Sequence, residues 1–254
     1  MRSVRALYAF MIYTLLYLPI AVLILYSFNN SKYATGWKGV SLKWYDKLMS
    51  NDTLIEAAVH SFNVAVFSSF FATFIGTLGA LALFRYRFFG KTFLRSMIYI
   101  LIVSPEIVMG ISLLMLFSAF SLTQGFATLL MAHTTLSLPF VIVTVLSRLS
   151  YFDASIIEAA KDLGADEFTT FYRIIFPNIL PAVIAGFLLS FTLSLDDVII
   201  SFFVTGPGYE ILPLKIYSMV RLGVKPEINA LCTLMFLVTL FIVLLSQFLL
   251  KERT

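Results

Sequence analysis

Glu106, Asp196 and Asp197 are the acidic side chains of this 254-residue chain that fall inside long apolar runs. No Lys or Arg lies within those runs to neutralise them. An ionised group at the centre of a membrane-buried helix costs roughly 2.5–3.5 kcal/mol on insertion scales, so it is read as functional by default. Three acids without a base suit the binding or passage of a cation. Glu106 follows Ser104 and Pro105. Ser–Pro–Glu is also a helix start: a cap, a proline at the first position and an acid favoured by the helix dipole. Counted inward from residue 96, Glu106 lies about 15 Å deep at ~1.5 Å per residue, and a helix broken near the midplane is itself a substrate-site device in transporters. Gly186, Ser190, Ser194, Asp197 and Ser201 share a helical arc of about 80°. Such a small and polar stripe should face a bundle or a wet path, not lipid. Asp196 stands at its edge. Either at least one of the two aspartates lines a path, or the pair caps a break in the helix.

Other chemistries find no constellation. There is no G-x-x-x-x-G-K-[ST] phosphate loop, so the backbone nest, lysine and metal-binding hydroxyl that usually hold nucleotide are missing. If ATP drives this protein, another chain hydrolyses it. No G-x-S-x-G, H-E-x-x-H or Cys–His arrangement supports a membrane enzyme. His60 and His133 stand far apart and read as a helix-end and a bundle-packing histidine, not metal ligands. Cys232 is alone, so no intrachain disulfide forms.

A different kind of signal comes from residues 158–181, EAAKDLGADEFTTFYRIIFPNILP, a charged island between two apolar runs. Helix formers broken by Gly164 and closed by Pro177 and Pro181 predict helix, turn, helix. A surface-lying device in a protein otherwise buried in lipid is a contact for a soluble partner.

Composition supplies the elements that position these groups. The chain is 60% hydrophobic and 13% charged, with mean hydropathy +0.94, whereas a soluble domain carries roughly 25% charged residues. A net charge of +4 without a basic run gives no nucleic-acid signature. An all-α integral membrane protein is predicted. A membrane helix needs about 20 mostly apolar residues, and six runs qualify: 6–28, 60–84, 96–118, 126–147, 179–204 and 228–250. The first follows Arg2 and Arg5, but its apolar stretch is too long for a signal peptide and no small-residue cleavage site follows before Tyr26. It reads as a retained span. Ser68, Ala72, Gly76 and Ala80 form a small-residue seam for close helix packing.

Six spans put both termini on one side, with the second and fourth loops. That side holds Arg2, Arg5, Arg85, Arg87, Arg95, Arg148, Arg173 and Arg253, and the other holds Arg221. Lysines are less one-sided, with Lys32, Lys38, Lys43, Lys47, Lys215 and Lys225 on the second side. Short loops weigh most in the positive-inside rule, and 85–95 carries Arg85, Arg87, Lys91 and Arg95. That loop, the island at 158–181 and both termini are therefore expected to be cytoplasmic. The outer loop 29–59 has turn residues Asn29, Asn30 and Gly36 and interfacial aromatics Trp37, Trp44 and Tyr45. It either touches an external partner or rests on the headgroups.

The spacing of Glu158, Ala159, Ala160, Gly164, Ile174 and Pro177 resembles the E-A-A-x-x-x-G-x9-I-x-L-P loop of permease subunits in binding-protein-dependent ATP-binding-cassette (ABC) importers. Phe176 stands where that family favours Leu. The whole chain is similar to PotC-type permease subunits of spermidine/putrescine importers. The likeness is strongest in SPEIVMGISLL at 104–114 and in SFTLSLDDVIISFFVTGPGYEILPLKIYSMV at 190–220. Where this chain has Glu106 that family often has Asp. The resemblance implies a type I ABC importer (MetI-like) permease fold with six transmembrane helices. It implies one integral membrane permease over 1–254, with 6–28 an extra N-terminal span, 58–250 the type-1 core and 153–178 a cytoplasmic coupling loop. The motif residues of that loop dock on a separate ATPase. It further implies a PotB-like permease partner, two copies of a PotA-like ABC ATPase that bind ATP and Mg, a periplasmic PotD-like polyamine-binding protein and a bacterial inner membrane. This chain would carry no cofactor. Polyamine amines have pKa values near that of Lys, about 10, so the substrate is multiply cationic at pH 7. Glu106, Asp196 and Asp197 are its expected pathway, and Phe202, Phe203 and Tyr209 are either cation–π walls or ordinary packing.

Rival readings stay open at this level. Another solute, such as an iron complex, fits the same class, while an anion such as sulfate fits poorly with buried acids and no buried bases. An ion-coupled carrier or cation channel would use the same acids and leave the 158–181 loop idle. A scaffold would give the acids a folding role alone.

Overall fold

The computed structural model describes residues 2–31, 36–221 and 226–251. Among them the regular elements are helices: α1 (Arg2–Ser27), α2 (Lys43–Met49), α3 (Asp52–Arg85), α4 (Lys91–Val103), α5 (Glu106–Ala119), α6 (Phe126–Ser150), α7 (Ala154–Asp162), α8 (Glu167–Thr170), a π-turn (Phe171–Ile175), α9 (Phe176–Asp196), α10 (Ile199–Val204), α11 (Leu212–Arg221) and α12 (Pro226–Lys251). Of the charges behind the expected orientation, Lys32, Lys225 and Arg253 lie outside the described residues, as do the side chains of Arg2, Arg5 and Lys251.

Five helices are long and apolar enough to cross a membrane, and α4 with α5 make a sixth span if the bent pair counts as one. The six expected runs are thus all helical, but two of them are interrupted. The run 96–118 bends by 111° between α4 and α5. Pro105 has no N–H to give and pushes Ser104 into an extended conformation (φ −65°, ψ 136°). The run 179–204 breaks at Asp197 (φ −69°, ψ 122°).

Two local expectations are corrected. Pro177 and Pro181 do not close the charged island, because helix continues from Glu167 through to Asp196. Pro177 sits in the first turn of α9, directly after the π-turn at Phe171–Ile175. The wider i→i+5 pattern accommodates a residue that lacks an N–H. His60 is not at a helix end: α3 begins at Asp52, because the polar segment ahead of His60 forms helix without being apolar enough to read as a span.

The chain divides into two compact units, one of residues 1–57 with 215–254 and one of residues 58–214. In the first, α1 and α2 pack on α12. The loop after α1 is built on Asn29, whose Nδ2 donates to the Gly36 carbonyl (2.8 Å) and whose Oδ1 accepts from the Lys38 amide (2.9 Å). Trp44 Nε1 donates to the Asn29 carbonyl (2.7 Å). Buried Glu227, at the start of α12, takes Lys47 Nζ at 2.7 Å and Asn51 Nδ2 at 3.1 Å. This part of the loop 29–59 is held by its own polar contacts.

In the second unit α6 is the central helix, packed on α4, α5, α9 and α10. Two apolar clusters form its core. One gathers Val64, Leu129, Leu136, Ile200 and Val204, and the other gathers Ala72, Val141, Val145, Ile175 and Ile179. The small-residue seam on α3 works as packing. Val141 Cγ1 lies 2.8 Å from where a Cβ on Gly76 would stand and 3.3 Å from one on Gly186, so one valine fills a hole made by two glycines.

Candidate functional site

The charged island folds as a capped hairpin. Asp153 Oδ1 accepts from the Ser155 amide (2.9 Å) and starts α7. Glu158, Ala159 and Ala160 lie within α7, the first two exposed and Ala160 buried. Gly164 (φ +82°) ends it, with the Ala165 amide donating to the Ala160 carbonyl and the Gly164 amide to the Lys161 carbonyl. That is a Schellman stop, which needs a left-handed residue where glycine has no Cβ to strain. Asp166 Oδ1 accepts from the Thr169 amide (2.9 Å) and opens α8. The Ser155 amide and then its hydroxyl hold the Asp153 carboxyl below its ordinary value, and the Thr169 hydroxyl and amide do the same for Asp166.

Ile157 and Ile175 anchor the hairpin in the second apolar cluster, Ile174 is half-buried, and Pro177 is exposed. Arg85 at the end of α3 pairs with Glu167 (2.6 Å), and Arg148 Nε donates to the Asn178 carbonyl (3.1 Å). The opposite face is bare: Leu163 is 89% exposed. The hairpin is thus capped at the start of each helix, anchored in the second apolar cluster and apolar at its tip.

The acids in the apolar runs divide. Glu106 opens α5 and is exposed; Asp196 ends α9 and is exposed. Among the described residues neither makes an ion pair or a side-chain hydrogen bond. Asp197, by contrast, is buried and fully engaged. Its Oδ1 accepts from the Ile200 amide (3.2 Å), and its Oδ2 accepts from the Ser201 amide and hydroxyl, each at 2.7 Å. His133 Nε2 stands 3.5 Å from the same oxygen. The stripe read on a single helix therefore straddles a helix break, and Asp197 caps it. α5 and α10 pack closely through Gly110, where an added Cβ would meet Phe203 Cδ2 at 2.6 Å.

Phe203 is thus a packing residue and Phe202 is exposed. Tyr209 stacks on His60, with centroids 3.8 Å apart, and leans on Phe126. Sequence reasoning undervalued His133 and did not single out Glu227. Each meets its partners over scores of residues of chain separation, which no local periodicity signals. No cluster of three metal-ligating side chains exists among the described residues.

Residues 72–254 match the family described as binding-protein-dependent transport system inner membrane component. The chain belongs to that family. This inner membrane component is therefore a multi-pass, non-catalytic subunit of a transport system. It is 54% identical over 253 residues to the spermidine/putrescine transport system permease protein PotC of Escherichia coli (strain K12), covering 100% of this chain and 96% of that one. It is 44% identical over 229 residues to the putrescine transport system permease protein PotI of the same strain, covering 87% and 82%. Its fold is that of an ABC importer permease. A bacterial ABC transporter involved in the import of the acidic polysaccharide alginate superposes with a TM-score of 0.78 at 16% identity, over 96% of this chain and 94% of that one.

Proposed function

We propose that this inner membrane component is the permease subunit of an ATP-driven importer for polyamines, spermidine and putrescine. The observation that carries the reading is full-length likeness, at 54% identity, to a spermidine/putrescine permease. The chemistry on the page supports it. Exposed Glu106 and Asp196 are acids without a protein counter-charge among the described residues, and a polyamine brings ammonium groups that would supply it. Asp197 contributes to the pathway from within, by shaping the break that carries Asp196.

The capped hairpin is the coupling loop. Glu158, Ala159, Ala160, Gly164, Ile174 and Pro177 form or brace the surface on which a PotA-like ATPase docks. Two such ATPase chains hold ATP and Mg, a PotB-like permease completes the pathway, and a PotD-like periplasmic protein delivers the polyamine. The coupling loop and both termini lie in the cytoplasm. The type-1 core runs over 58–250, and 6–28 is an additional span. Closure of the ATPase pair on ATP moves the hairpin as a rigid body, and rocking of the two permeases opens the site to each side in turn.

The test is radiolabelled spermidine and putrescine uptake into proteoliposomes carrying this chain, its second permease and the ATPase, with binding protein outside and ATP inside. Uptake that requires the ATPase is expected. Uptake that persists without it would replace the importer with a carrier or channel. An ATP-hydrolysing complex that takes up neither amine would remove polyamines as substrate.

A further inference from the structure

Ser68 on α3, His133 on α6, Ser194 on α9, Ser201 on α10 and Asp197 in the break meet in the interior of the second unit, each at most 7% exposed. The hydroxyl of Ser201 donates to Asp197 Oδ2 at 2.7 Å. Toward His133 Nε2, at 2.8 Å, that hydroxyl can therefore only accept, so Nε2 carries a proton. On the other ring edge Ser194 Oγ lies 2.6 Å from Nδ1. Ser68 Oγ stands 3.2 Å from Ser194 Oγ and 3.3 Å from the Ala65 carbonyl, so its one proton is shared between them. In a neutral ring protonated at Nε2, Nδ1 accepts, so the Ser194 hydroxyl donates to it. From Ser194 through the imidazole and Ser201 to the Asp197 carboxylate the bonds then point the same way. Imidazole is the side chain that accepts on one nitrogen and donates from the other in a single neutral form. Its ring here bridges the last turn of α9 and the first turn of α10 from a neighbouring helix.

We infer that His133 is a positioning residue for transport: it holds Ser201 and Asp197 so that the break between α9 and α10 keeps Asp196 turned outward. This rests on the reading of Asp196 as a pathway acid. Asp197 has its oxygens filled by the Ile200 amide and by the Ser201 amide and hydroxyl, so it serves the break and leaves the outward role to its neighbour.

Two variants of the same chemistry but different reach test it. Gln at 133 places an amide where Nε2 stands and can still donate to Ser201. Asn ends near Nδ1 and cannot reach it. In assembled complexes, His133→Gln should keep polyamine uptake within about twofold of the parent, while His133→Asn should raise the half-saturating concentration tenfold or more. Gln is also nearer to His in volume than Asn, so the order is read together with Ser201→Ala; equal effects of Gln and Asn, or the reverse order, overturn the inference. Ser201→Ala cuts the chain at its other end and should behave as His133→Asn does; a neutral Ser201→Ala would also overturn it.

A second readout does not depend on the substrate. In a Cys232→Ser background, Asp196→Cys should react with a water-soluble maleimide at least fivefold faster than Asp197→Cys. His133→Asn should erase that difference and His133→Gln should keep it. Unchanged labelling in His133→Asn sinks the positioning role whatever is transported. Labelling that changes as expected in a complex that takes up no polyamine sinks the substrate reading alone.

Discussion

At the residue scale, adjacent Asp196 and Asp197 do opposite work, because one is exposed and the other caps a helix inside the core. Asp196→Asn should leave the thermal midpoint of the purified chain unchanged and raise the half-saturating polyamine concentration about tenfold, equivalent to ~1.4 kcal/mol. Asp197→Ala should lower the stability of the chain by about 2 kcal/mol, the upper range for a lost cap, seen as a clear drop in thermal midpoint. The hydroxyls separate in the same manner. Ser194 is bonded to His133, whereas the Ser190 hydroxyl is buried with no partner among the described residues. Ser194→Ala should cost about 1 kcal/mol, and Ser190→Ala should be neutral or stabilising, since it removes an unmet polar group. Thermal melts of the two variants side by side check the contrast. The sequence offered the acids and the serines as one stripe. It did not say which members would be satisfied, because that depends on α3 and α6, which come from distant parts of the chain.

At the element scale, close packing of α3, α6 and α9 on Val141 sets a strict limit on volume. Gly76→Ala would place a methyl group 2.8 Å from Val141 Cγ1, and overpacking of this kind costs about 1–3 kcal/mol. Val141→Ala on the Gly76→Ala background should recover part of the lost melting temperature, whereas each change alone lowers it. The hairpin answers to pH through its caps. Asp153 and Asp166 have carboxyls held below their ordinary value of 3.8 by hydrogen bonds in the folded state. Their contribution is therefore complete above that ordinary value and is lost as pH falls through the lower, folded one. Hydrogen exchange of α7 and α8 should be flat in protection between about pH 5 and 8 and should weaken only in more acidic solution. The exposed Arg85–Glu167 pair should matter little to either measurement. The helix–turn–helix form of this segment was legible in its helix formers and in Gly164. The prolines misled, because a π-turn changes what proline does to the helix that follows.

At the scale of the whole molecule, the hairpin presents one bare face while its other face is rooted in the second apolar cluster. Leu163→Asp changes a side chain that is almost fully exposed. It should leave membrane insertion and the thermal midpoint intact, yet abolish co-purification of the ATPase subunit and ATP-dependent uptake. Normal uptake by that variant would remove the docking role of the hairpin tip. Deleting the Glu158–Ala160 segment should likewise abolish transport while the chain still inserts, as followed by membrane fractionation.

The sequence by itself determined the membrane class, the six apolar runs, the helix start at Ser104–Pro105–Glu106 and the spacing of residues in the charged island at 158–181. Each of these is a local property: hydropathy summed over a window, a missing N–H, or a fixed interval along one helix. Only the tertiary structure decided that Asp197 faces inward and Asp196 outward, that His133 joins α9 to α10 across their break, and that Val141 fills two glycine holes. These depend on residues tens of positions apart meeting at distances of a few ångströms. The free energy of such meetings resides in hydrogen-bond direction and steric fit between helices, and neither is encoded within any one helix.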